Sequence, residues 1–163
     1  MEETKVYVGT YAKYAAGSLH GEWLTLSAYA SKEEFLEACQ AVHEDEPDAE
    51  FMFQSIEGPT FGMIEEDDID GEIFNLLSQL DDDELAMFQA YRKNVSDGTF
   101  SEAQDAFAGT YESDIEFAEE LAEELGFINK DASWPYTCID WAMAARELMW
   151  DYFEVDGYYF RNL

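Results

Sequence analysis

Basic side chains are scarce. Only 8 Lys and Arg face 38 Asp and Glu, leaving a formal net charge of -30 over 163 residues. That scarcity excludes nucleic acid and anionic membrane surfaces as partners, because affinity for both comes from Lys and Arg neutralising phosphates. It directs attention to basic protein surfaces and to cations. Cysteine is nearly absent as well: Cys39 and Cys138 stand far apart in unrelated contexts. Reduced, buried thiols of a cytoplasmic protein are the simpler reading, in preference to a disulfide. The histidines, His20 and His43, are isolated, and the chain contains no HExxH, no nucleophile elbow and no GxxxxGK[ST] or GxGxxG loop. Paired carboxylates of the glycosidase kind carry no weight where acids are so abundant. No enzyme activity, cofactor or metal is therefore expected. No apolar run approaches the ~18 residues of a membrane span. Met1-Glu2-Glu3-Thr4 lacks the basic start and apolar segment of a secretory leader.

Apolar and aromatic residues, by contrast, are plentiful, at 47% and 16% of the chain. Disordered acidic tails are poor in both, so this chain buries a core. It does so against a self-repulsion that destabilises any compact state. The four tryptophans, Trp23, Trp134, Trp141 and Trp150, are read as core and interface residues rather than a sugar platform.

The pattern along the chain predicts an α+β fold in three small parts. In residues 1–60, Lys5 to Tyr11, Glu22 to Leu26 and Glu50 to Ile56 read as strands, and Gly58-Pro59 ends the last. Ser31-Lys32-Glu33-Glu34 has the capping-box pattern before a helix carrying Phe35, Leu36, Cys39 and Val42. Residues 61–108 read as a bundle of short helices. Ile69, Ile73, Leu76, Leu77 and Leu80 recur at helical spacing, as do Leu85, Phe88 and Tyr91, with cap-like starts at Asp81/Glu84 and Thr99/Glu102. Residues 109–163 return to α+β. Ser113 to Glu116 caps a helix that Gly126 stops, and Thr137 to Asp140 opens another. Asp156-Gly157 between aromatic runs then signals a C-terminal β-hairpin.

The acidic residues are not mixed with basic ones. Residues 33–91 and 94–129 contain no Lys or Arg. The densest runs are Glu65, Glu66, Asp67, Asp68, Asp70 and Glu72, followed by Asp81, Asp82, Asp83 and Glu84. In the third part, Glu112, Glu116, Glu119, Glu120, Glu123 and Glu124 include a spacing of four, three and four that lays carboxylates along one helix face. Ile115, Ala118, Leu121, Ala122 and Leu125 fall mainly on the opposite face. Such a stripe repeats every ~5 Å, against a phosphate about every 3.4 Å per strand of duplex DNA. A solvated face that maintains solubility, or life in high salt, is the plain alternative. An EF-hand register with Gly71 at the sixth position fails at Leu77, where a bidentate Glu is required.

Two segments place these features in a family. Lys5-Val6-Tyr7-Val8-Gly9-Thr10-Tyr11-Ala12-Lys13-Tyr14 with Gly17 and Gly21-Glu22-Trp23-Leu24 resembles the opening of ArdA-type antirestriction proteins. The close resembles theirs too, through Ile139-Asp140-Trp141-Ala142, Ala145-Arg146-Glu147-Leu148, Asp151-Tyr152 and Gly157-Tyr158-Tyr159-Phe160. The resemblance implies an elongated homodimer with three small domains per chain. It also implies a surface that traces bent B-form DNA and blocks type I restriction–modification enzymes at their specificity and methyltransferase subunits. On this view the runs at 65–72, 81–84 and 112–124 stand in for phosphates, and Tyr158, Tyr159 and Phe160 are candidates for a dimer interface or for the local core. The rival reading is a generic acidic scaffold or chaperone for basic proteins.

Overall fold

The alternation of Lys5-Val6-Tyr7-Val8 becomes the strand β1 (Lys5–Thr10), with Val6 and Val8 fully buried. The computed structural model describes residues 2–129 and 131–163. The backbone divides into two compact units at Ser96 and Asp97. Both mix helices with a small antiparallel sheet, giving an α+β fold with seven α-helices among the described residues.

In the first unit β1 is the centre of a three-stranded sheet, flanked by β2 (Glu22–Thr25) and β3 (Phe51–Glu57). Val6 lies opposite Leu24 and Ile56, and a shift in register between Tyr7 and Val8 brings Val8 opposite Phe53. The turn after β1 is a short helix, α1 (Tyr11–Ala15), which the alternating pattern did not disclose. Helix α2 (Lys32–Val42) places Phe35 and Cys39 in the core. The Phe35 ring meets Phe53 at 5.8 Å and Phe74 at 5.7 Å. Phe74 belongs to α3 (Glu72–Gln79), which is followed by α4 (Asp82–Asn94). Phe88 of α4 stacks on Phe61 at 5.8 Å, where Gln89 and Arg92 hold the Phe61 backbone N–H and carbonyl.

The second unit contains α5 (Phe100–Ala106), β4 (Phe107–Thr110), α6 (Asp114–Glu124), α7 (Trp141–Leu148), β5 (Tyr152–Val155) and β6 (Tyr158–Arg161). Its sheet has the order β4-β6-β5. The hairpin expected at Asp156-Gly157 is present, with both residues at positive φ (53° and 84°), as a two-residue turn matched to strand twist requires. Successive residues of β6 face opposite sides. Tyr159 meets Phe117 of α6 at 4.8 Å, while Phe160 stacks on Phe153 at 5.2 Å. Phe117, Tyr159 and Phe160 are all buried.

Burial corrects several expectations. Ile115 and Leu125 are exposed, and Phe117 with Ala118 forms the buried edge of α6. Trp134 and Trp150 are 80% and 75% exposed rather than core. Cys39 is buried, its thiol pushed up to about 12 by desolvation, but Cys138 is exposed.

The Tyr159 hydroxyl donates to Asp114 at 2.7 Å. Burial, reinforced by that carboxylate and by Glu154 and Glu116, raises the phenol above its ordinary value. The folded form therefore holds its proton more tightly than the unfolded chain, whose tyrosines titrate near ~10. This contribution is complete below pH ~10 and is lost as pH rises through the raised value. The second unit is expected to unfold in alkali, and Tyr159→Phe to move that midpoint upward. Circular dichroism against pH measures both; an unmoved midpoint would contradict the assignment.

An acidic candidate site

The candidate site is a surface, and its residues lie at helix starts, in the segment before α3 and along α6. Asp81 is the N-cap of α4: its carboxylate accepts from the backbone N–H groups of Asp83 and Glu84, and the Glu84 side chain accepts from Asp81 N–H. Asp82 and Asp83 then fill the first turn, where the helix dipole favours negative charge. Thr99 and Glu102 form the same reciprocal box before α5. At Ser31 and Ser113 the hydroxyl caps as expected, but the partner glutamate reaches one residue further back: Glu34 to Ala30 N–H and Glu116 to Glu112 N–H.

In the run before α3, Asp70 accepts from Glu72 N–H at 2.9 Å, Glu72 from Asn75 at 3.1 Å, and Glu66 from the Tyr11 hydroxyl at 3.1 Å. Asp68 is paired with Lys32 at 2.7 Å, and that hydrogen bond holds its carboxyl below the usual range. Of the carboxylates singled out from sequence, Glu84, Glu116 and Glu119 are half-buried. Glu65, Glu66, Asp67, Asp68, Asp70, Glu72, Asp81, Asp82, Asp83, Glu112, Glu120, Glu123 and Glu124 are exposed. Tyr158 is half-buried beside the buried Tyr159 and Phe160. Exposed acids also lie outside these runs, among them Glu33, Glu37, Glu44, Asp45 and Glu50 in the first unit.

Lys13, Lys32 and Arg92 are engaged within the chain, whereas Lys93, Arg146 and Arg161 are exposed. Lys13 donates to His43 Nδ1 at 2.9 Å and to Asp45 at 2.7 Å. Because an ammonium only donates, Nδ1 accepts and His43 Nε2–H donates to the Val8 carbonyl at 2.9 Å. Buried His43 is thus a structural strut between α2 and β1. Arg92 Nε donates to the Phe61 carbonyl at 2.7 Å. On α6 the carboxylates act together on one neighbour: burial raises the Tyr111 phenol, and Glu120, Glu124 and Glu116 all add to the shift. Among the described residues no group of His, Cys, Asp and Glu is placed to hold a metal ion, and no helix is long and apolar enough to cross a membrane.

These features define an acidic α+β protein whose candidate site is an exposed carboxylate surface. The family model of the antirestriction protein ArdA matches residues 6–161, and the chain belongs to that family. No curated protein matches the chain.

Proposed function

We propose that this antirestriction protein acts by DNA mimicry, without catalysis, in the cytoplasm. In this reading its carboxylates occupy the DNA-binding groove of a type I restriction–modification enzyme, against the specificity and methyltransferase subunits. The runs at 65–72, 81–84 and 112–124 take the places of phosphates. Of the three parts 1–60, 61–108 and 109–163, the second and third carry these runs, and a homodimer extends them.

The observation that supports this most directly is the outward display of carboxylates, those at 81–84 fixed on the start of α4 and those at 116–124 along α6, while Lys13, Lys32 and Arg92 are turned to contacts within the chain. A solubility coat needs no fixed positions, whereas a phosphate substitute does. Carboxylates accept from the planar fork of arginine much as phosphates do. A Lys/Arg-lined groove would draw such a surface in by long-range steering.

Competition tests the proposal. The protein is titrated into a type I methyltransferase bound to labelled duplex at two salt concentrations. Displacement near stoichiometry that weakens as salt rises is the expected result. Failure to displace DNA from several such enzymes, together with indiscriminate binding of basic proteins, would leave the generic acidic scaffold.

A further inference from the structure

The glutamates of α6 are not equivalent. Glu120, Glu123 and Glu124 are exposed, but Glu119 is half-buried and lines a cavity of about 250 Å³ in the second unit. The other walls include Tyr136 and Trp141, with Ile128 and Ile139 supplying aliphatic surface. The site is built by the packing of α6 against α7, which places Trp141, the first residue of α7, near Glu119. No hydrogen bond or ion pair to Glu119 forms among the described residues.

We propose that this cavity receives a single arginine side chain of the partner protein, as an anchor within an otherwise distributed electrostatic contact. The inference rests on the mimicry reading for the partner but not for the chemistry of the cavity. A carboxylate partly withdrawn from water, flanked by two aromatic side chains, suits a cation that is also flat and weakly hydrated. Guanidinium meets that description better than ammonium, because it pairs with carboxylate through two parallel bonds and stacks on aromatic faces. The aliphatic walls suit the methylene stem. The volume lies below the about 300–1,000 Å³ of sites for drug-sized molecules, which favours a smaller occupant. The surrounding net charge of -30 repels any anionic occupant.

Two readouts on the full chain test the anchor. In ¹⁵N-labelled protein, ethylguanidinium is expected to shift the Trp141 indole N–H resonance saturably at millimolar concentration, while neutral N-ethylurea does not. Glu119→Gln and Tyr136→Leu should each weaken that shift. In the competition assay, Glu119→Gln should weaken displacement about tenfold, against about twofold for exposed Glu123→Gln. A shift equal at all four tryptophans, or Glu119→Gln matching Glu123→Gln, overturns the anchor while leaving mimicry intact. Wild-type protein that displaces no DNA but shows the saturable Trp141 shift overturns mimicry and keeps the cavity as a guanidinium site.

Discussion

Phe117→Ala is expected to unfold the second unit. The ring is fully buried and lies 4.8 Å from Tyr159, 4.9 Å from Tyr111 and 5.0 Å from Tyr152. It ties α6 to the sheet and to the segment between β4 and α6. Truncating a buried Phe to Ala costs about 3–5 kcal/mol through lost transfer energy and the cavity left behind. Whole domains are stable by only about 5–15 kcal/mol. A unit this small, facing its own charge repulsion, sits toward the lower end of that range. Denaturant melts should show the loss, and amide exchange should place it in residues 97–163. A cost below about 1 kcal/mol would mean that the aromatic cluster is not what holds α6.

The second large effect concerns binding and has the opposite sign on stability. Converting Glu112, Glu120, Glu123 and Glu124 to Gln together should weaken DNA displacement by about tenfold to a hundredfold, since exposed pairs contribute about 0.2–1 kcal/mol each. Each exposed change alone should be nearly silent. The salt dependence of displacement should flatten in the fourfold variant, because fewer charges are being screened. Melting temperature should rise slightly: Glu120 with Glu123 and with Glu124 are like-charge neighbours at helical spacing, each pair unfavourable by a few tenths of a kcal/mol. Weaker inhibition by a more stable protein separates a binding role from a folding one. A fourfold variant that inhibits as well as the parent would sink the assignment of this stripe.

The features readable from sequence were those set by local chemistry. Asp156-Gly157 specified its turn through two positive φ values, and Asp81 and Thr99 specified helix starts through residues three apart. The same logic at Ser31 and Ser113 located the helix but not the glutamate's partner, because Glu34 and Glu116 reach one residue further back than the box pattern requires. What escaped was decided by distant contacts. Strand β4, Phe-Ala-Gly-Thr, is short and interrupted by Ala and Gly, which weaken its strand signal. It exists because β6 pairs with it, and Gly109 is needed there because a Cβ would come within 2.8 Å of the Tyr111 hydroxyl. The choice of Phe117 over Ile115 as the buried edge of α6 likewise depends on where the tyrosines of β5 and β6 arrive. Acidity was plain from composition. That Glu119 differs from Glu120 was not, because the difference lies in what α7 packs beside it.

Helix α6 ends without a single basic residue in its last turn, and Glu123 and Glu124 sit there instead. A helix C-terminus carries partial negative charge of its own, so these side chains oppose the backbone that holds them. The free protein is locally frustrated at this point: sequence and fold disagree over a few residues, and packing elsewhere keeps the peace. A cationic guest settles the disagreement. Whatever it gains by binding the glutamates, it also relieves in the helix beneath them, so occupancy and order at this end reinforce one another by mass action. In the proposed complex the last turn of α6, which has no basic residue of its own, would gain its positive charge from the partner.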